Sequence, residues 1–185
     1  MSSPEPRADR PHMPGYGIAP ADVGTGLLPW SWAEERLTRS HDYWLATRRP
    51  DGHPHAMPVW GVWLDGAVWF SCGIRSRKTR NLDADGRCAV TTDDALEPVV
   101  VEGEAMRVLD REALAGFMAA LDAKYQTSYG AEFADPAVNV VWRVAPARAF
   151  GLLESDFPGS PTRWTFPAGA PGAPGAPEAD DGDRG

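Results

Sequence analysis

Val59-Trp60-Gly61-Val62-Trp63-Leu64-Asp65-Gly66-Ala67-Val68-Trp69-Phe70-Ser71-Cys72 is the stretch that decides the fold class of this chain. Asp65-Gly66 stands between two apolar runs, and a type I′ turn needs positive φ at both central residues, which Asp and Gly tolerate best. The flanking runs are rich in Val, Trp and Phe, side chains that suit a pleated, half-buried surface. A β-hairpin follows, with its first strand read as one element from His55 to Leu64.

Outward from the hairpin the signals stay mostly β. Upstream, Pro50-Asp51-Gly52 is a turn signal that separates His55–Leu64 from a β-prone run, Tyr43–Thr47. Before it, Ser31 and Glu34 have capping-box spacing, which predicts a short helix carrying Ala33 and Leu37 to about Ser40. Downstream, Ser76 is placed as the N-cap of a short helix reaching Ala84, and strands are predicted at Cys88–Thr92 and Val99–Val108. Asp110 can cap a longer helix in which Leu114, Phe117, Met118, Leu121 and Tyr125 recur at helical spacing. A strand over Val138–Val144 and an extended segment through Phe150–Leu153 then lead to Arg163-Trp164-Thr165-Phe166. The sum is a mainly β (α+β) chain: six antiparallel strands forming a closed or partly open barrel, with flanking helices and no doubly wound sheet.

The 185 residues fit one domain, and 43% hydrophobic content supports a real core. Residues 1–26 are rich in Pro, Gly and charge without apolar periodicity and are expected to remain a flexible segment. Residues 27–166 are the foldable domain, and residues 167–185, with repeated Gly-Ala-Pro and an acidic end, are expected to be a disordered tail. Of the net charge of −8, the tail carries −3 and the first segment −1, so −4 remains on the domain. An acidic domain argues against non-specific nucleic-acid binding, which depends on many Lys and Arg side chains releasing counterions. The two cysteines, Cys72 and Cys88, lack metal-ligand spacing and read as reduced core residues of a cytoplasmic protein. The sequence has no apolar run long enough for a membrane span and no apolar signal-peptide stretch at its start. Eight tryptophans exceed what so small a barrel can hide, so self-association is expected.

Against that acidic background, Arg75, Arg77, Lys78 and Arg80 cluster at the start of a short helix. A helix N-terminus offers unpaired N–H groups, and neighbouring cations add charge-assisted donors, so a phosphate would bind there. The same cations also fit a solvated helix face paired with Asp83 and Asp85, and the residue pattern alone leaves both readings standing. His53 and His55, two apart, would share a strand face, but no third ligand accompanies them, so no metal site is assigned. His41 is read as capping the first helix. No nucleophile-elbow, dinucleotide or phosphate-loop pattern is present.

Taken in order, Trp44-Leu45-Ala46-Thr47, Pro50-Asp51-Gly52-x-Pro54, Pro58-Val59-Trp60, Trp69-Phe70-Ser71, Ser76-Arg77-Lys78-x-x-Asn81-Leu82 and Val101-Glu102-Gly103 resemble the pyridoxamine 5′-phosphate oxidase-like split β-barrels. The resemblance spans about residues 30–166. It is strongest to the flavin/deazaflavin-dependent oxidoreductases, whose C-terminal segment similarly ends in Thr162-Arg163-Trp164-x-Phe166. The resemblance implies a cofactor, FMN or coenzyme F-420. Its phosphate would be held by Ser76, Arg77 and Lys78, with Ser71 at the end of the preceding strand. The backbone of Met57, Pro58, Val59 and Trp60 would run beside its ring, and Trp164 would lie near the ring's other side across a homodimer interface. The implied activity is hydride transfer between the cofactor and a small electron-poor organic molecule. The other possibility is a non-catalytic carrier of a flavin, deazaflavin or tetrapyrrole. The C-terminal Trp and Arg pattern with which the oxidase grips its vitamin B6 substrate has no counterpart here.

Overall fold

The computed structural model describes residues 5–129, 133 and 135–167. In chain order the elements are β1 (Arg7–Asp9), α1 (Trp30–Arg39), β2 (Tyr43–Arg48), β3 (Pro54–Val59), β4 (Gly61–Leu64), β5 (Ala67–Gly73), α2 (Arg77–Ala84), β6 (Arg87–Thr92), β7 (Val99–Arg107), α3 (Arg111–Tyr125), β8 (Asn139–Gly151) and β9 (Thr162–Thr165). The fold is mainly β (α+β), an antiparallel split barrel with flanking helices, in agreement with the fold class read from the sequence.

The deciding hairpin forms as read. Asp65 and Gly66 take φ of 49° and 69°, and the turn pairs Leu64 with Ala67 and Gly61 with Phe70. Its first strand, however, does not run unbroken from residue 55 to 64. It breaks at Trp60, and the two pieces have different partners: β3 pairs with β2, whereas β4 pairs with β5. Hydrogen-bonded pairing therefore runs β4-β5-β8-β7-β6-β2-β3, and the two ends of that path are joined only by the chain at Trp60. The six expected strands become nine for three reasons. Residues 54–64 split, residues 162–165 form a strand on β8, and residues 7–9 pair with that strand. Thus the segment before residue 27, expected to stay apart from the domain, contributes β1. Arg10 also donates to the carbonyls of Pro161 and Gly159 at 2.8 and 2.9 Å. Of the tail expected at residues 167–185, all but Pro167 lies outside the described residues.

β8 is 13 residues long because it serves two neighbours on one edge. Residues 139–144 pair with β5 and residues 148–151 with β9, while the other edge carries β7. Alternation along β2 sends Tyr43, Leu45 and Thr47 inward and Trp44, Ala46 and Arg48 outward. The barrel interior holds Tyr43, Leu45, Phe70, Val90, Val101 and Val144, all without exposed surface. A second cluster lies on the outer face, where Val62, Trp69 and Val141 pack against Phe117 and Leu121 of α3.

Two helix starts match their local signals and one does not. Ser76 accepts from the Thr79 N–H at 3.2 Å and Asp110 from the Ala113 N–H at 2.9 Å. At α1 the N-cap position falls on Pro29 with no side-chain cap, and Ser31 lies inside the helix. Burial of Trp30 against Trp63, Trp164 and Phe166 sets that start, and tertiary packing overrides the capping-box spacing. His41 does not cap α1 either; the backbone N–H of Ser40 closes it onto Arg36 O.

Candidate functional site

The corner between α2 and the β2–β3 hairpin collects most of the residues singled out from the sequence. α2 is held there by short polar contacts. Thr79 Oγ1 donates to Gly73 O at 2.9 Å and lies 3.2 Å from Cys72 Sγ, and Asn81 Nδ2 donates to Thr47 Oγ1 at 2.9 Å. With its lower side pinned to the barrel, α2 turns its amino-terminal cations outward: Arg75, Arg77 and Arg80 are exposed and Lys78 is half-buried.

The ion pairs separate the two readings of this cluster. Asp83 is engaged by Arg107 at 2.7 Å, and Asp85 by Arg87 at 2.8 Å and Arg48 at 3.4 Å. The Arg87 guanidinium, bonded to both carboxylate oxygens, holds Asp85 well below the usual carboxylate range, at about 2. Neither acid is paired with the cations at the start of α2. Among the described residues, Arg75, Arg77, Lys78 and Arg80 form no ion pair with a carboxylate, and Arg77 meets Asp51 only as a through-space charge.

Two residues not included in the expected phosphate group belong to this corner. The β2–β3 register sets His55 opposite Thr47, the residue that holds Asn81. Burial lowers the His55 pKa first, and the charges of Lys78, Arg77 and Arg49 lower it further. Arg49 Nε, His55 Nδ1 and Asn81 Oδ1 are all buried without a hydrogen-bond partner. Leaving such a group unsatisfied costs roughly 1–3 kcal/mol, so this corner suits a polar ligand that brings acceptor oxygens to Arg49 Nε and a donor to Asn81 Oδ1. The turn at Pro50-Asp51-Gly52 was the available signal, since it folds residues 49 and 55 toward each other. His53 lies in the turn and contacts Asp51 at 3.2 Å, so it shares no strand face with His55.

β3 is the last strand on its side of the path, so among the described residues one of its edges carries no strand partner. Met57 and Pro58 are exposed on it, and Pro is tolerated there because an edge position needs no ladder donor on its open side. Val59 points inward opposite Tyr43 and is 6% exposed, so it can offer a ligand only its backbone. Trp60 is 45% exposed and its indole stacks on Tyr125 with ring centroids 4.4 Å apart and planes at 6°.

Two of the expected contact residues lie elsewhere. Ser71 pairs with Val141 in β5, on the face that carries Trp69 and α3, whereas Phe70 and Cys72 point to the interior and to α2. Its hydroxyl is therefore not brought to the cation cluster. Trp164 has no exposed surface. It packs between Trp30 and Trp32, and its indole N–H donates to Leu28 O at 3.2 Å. It is a core residue, and within this chain its ring is closed to any cofactor.

A family model described as pyridoxamine 5′-phosphate oxidase matches residues 33–152, well over half of the chain. Among solved structures, an F420 reductase is 26% identical, with 63% of this chain and 94% of that one covered and a TM-score of 0.52. A conserved hypothetical protein from Mycobacterium tuberculosis is 23% identical over 75% of this chain and 85% of its own, with a TM-score of 0.58. A heme binding protein from Mycobacterium smegmatis is 24% identical over 72% and 62%, with a TM-score of 0.54. The last two likenesses are of fold alone. No curated protein matches the chain. No helix among the described residues is long and apolar enough to cross a membrane.

Proposed function

Because this chain belongs to the pyridoxamine 5′-phosphate oxidase family, we propose that it is an oxidoreductase that holds coenzyme F-420 or FMN and moves a hydride between that cofactor and a small electron-poor organic molecule. The observation that carries the reading is the set of α2 cations that, among the described residues, form no ion pair with a carboxylate, beside the buried Arg49 Nε and His55 Nδ1, which have no hydrogen-bond partner there. Ser76, Arg77 and Lys78 would hold the phosphate, with Arg49 and His55 closing its far side. The open edge of β3 from Met57 to Trp60 would lie along the ring. The cofactor supplies the reactive atom when bound, so the chain needs to orient ring and acceptor and keep water out, and no catalytic triad is required.

Of the two cofactors, coenzyme F-420 is favoured. The likeness to an F420 reductase supports it, and so do the exposed Arg75 and Arg80, which extend positive charge past the phosphate corner toward a polyanionic tail. A two-fold homodimer is the proposed working unit, since Trp44, Met57 and Trp60 leave apolar surface open around the site. We place the protein in the cytoplasm, where such a cofactor would be supplied. Light scattering on the purified protein checks the dimer.

Titration of apo-protein with each cofactor, followed by fluorescence, tests the assignment. Arg77→Ala and Lys78→Ala should each weaken binding roughly ten- to a hundredfold, as expected for charge-assisted hydrogen bonds, without lowering the melting temperature. Binding of coenzyme F-420 should weaken steeply with added salt. Unchanged affinity in both variants would return α2 to a solvated surface helix. Tight binding with no turnover across a broad panel of acceptors would make the protein a carrier.

A further inference from the structure

Gly61 is the first residue of β4, just past the break at Trp60 where the sheet path is open, and a distant helix holds both of its backbone polar groups. The Tyr125 hydroxyl, at the last residue of α3, accepts the Gly61 N–H at 3.0 Å and donates to His41 O at 2.5 Å. The adjacent Lys124 donates from Nζ to Gly61 O at 2.6 Å. Gly61 has no room for a side chain, since a Cβ would stand 2.6 Å from Trp69 O and 3.2 Å from the Tyr43 ring. The preceding Trp60 completes the contact by stacking on Tyr125.

We infer that Lys124 and Tyr125 are positioning residues: they clamp the split of the barrel through Gly61 and thereby fix the Met57–Trp60 edge at the orientation a cofactor ring would meet. The part of this that concerns the cofactor rests on the function proposed above, whereas the clamp itself does not. A surface lysine ordinarily extends its ammonium into water. Lys124 instead carries it under the faces of Tyr43 and Tyr125, 4.7 and 5.2 Å from the ring centroids. Loss of hydration brings its pKa down to about 8, against the pull of Asp42 and Asp93, which favour the charged form. His41 lies edge-on to Tyr125 on the other side and contacts Asp42. A lysine that gives up hydration to reach one carbonyl at a strand break has a geometric role there beyond covering surface.

Tyr125→Phe keeps the stack on Trp60 and removes only the hydroxyl, and Lys124→Met removes the ammonium while keeping the stem. In the full-length apo-protein, amide hydrogen exchange is compared between residues 57–64 and residues 99–107 of β7, which pairs with neither β3 nor β4. Each variant should speed exchange in the first segment by about tenfold and leave the second unchanged, as for loss of one hydrogen bond in a local opening. Lys124→Arg, which keeps the charge and donor, should restore part of the protection. With FMN or coenzyme F-420 added, the variants should alter the absorption spectrum of the bound ring more than the affinity, because the phosphate corner is untouched. Unchanged exchange in both variants overturns the clamp, and so does equal acceleration in the two segments, which would make the pair ordinary scaffold. Local acceleration together with an unaltered ring spectrum overturns the positioning role. If the wild-type protein binds neither cofactor, the proposed function fails, and the exchange data still decide the clamp.

Discussion

Pro54–Val59 and Gly61–Leu64 are consecutive pieces of one extended stretch with similar composition, yet they end in opposite environments. In the first piece only Val59 is buried, and one edge of the strand has no strand partner among the described residues. In the second, Gly61 and Val62 are buried beneath α3, and β5 pairs along the piece. The difference shows how a small barrel can leave one wall open without giving up its core: one half of the stretch is scaffold and the other half is exposed. The corner with α2 then supplies charge at the open half.

The contrast is tested most severely at Trp164, which the family resemblance assigns to the open half and the structure assigns to the core. Trp164→Ala should cost roughly 3–5 kcal/mol in denaturant unfolding, the range for removing a fully buried aromatic, because its neighbours Trp30 and Trp32 cannot fill the space. A near-neutral variant would return the ring to the surface. At the next level, Val62→Ala should cost about 1–3 kcal/mol by cavity formation, whereas Met57→Ala, on the exposed half, should stay within roughly 0.5–1 kcal/mol. Equal costs at the two positions would erase the distinction between the halves.

How much of this was legible in the sequence depended on the range of the interaction that decides each feature. The Asp65-Gly66 turn and the Ser76 and Asp110 caps are set within four residues, and each forms as read. The break at Trp60 has no local signature, because it arises from a choice of partners, β2 for one piece and β5 for the next. The pairing of Arg7–Asp9 with Arg163–Thr165 joins two short segments more than 150 residues apart, and neither carries a periodicity. Ser71 was placed by its position in a motif, whereas strand alternation decides where its hydroxyl points. At α2 the residues were legible but their freedom was not. Only the folded chain shows that Asp83 and Asp85 are occupied by Arg107, Arg87 and Arg48.

The two helix caps sharpen the comparison at smaller amplitude. Asp110→Ala and Ser76→Ala each remove one side-chain acceptor from a helix start and should each lower stability by about 0.5–2 kcal/mol. Only the second should weaken binding of FMN or coenzyme F-420, since α3 lies on the scaffold half. Thermal unfolding and cofactor titration on the two variants give the four values needed. Loss of binding in both would point to a global effect.

The smallest effect separates the halves by pH, because each carries a basic group whose pKa is lowered into or below the range from about 8 to 10.5, His55 beside β2 and α2 and Lys124 beneath Gly61. In both cases the unfolded chain binds more protons than the folded one between the folded value and the ordinary value, so stability rises with pH across that interval. For Lys124 the interval runs from about 8 to 10.5; for His55 it lies below 6.5. Both side chains keep some contact with solvent, so the slopes should be shallow. His55→Asn should flatten the lower interval alone and Lys124→Met the upper alone, as read from denaturant midpoints across pH. An anion bound among Arg49, Arg77 and Lys78 would favour the charged imidazole and raise the His55 pKa. Inorganic phosphate at saturating concentration should therefore shrink the lower interval and leave the upper one in place. If phosphate moves neither interval, His55 does not share a site with the α2 cations, and the open half loses one of its two walls.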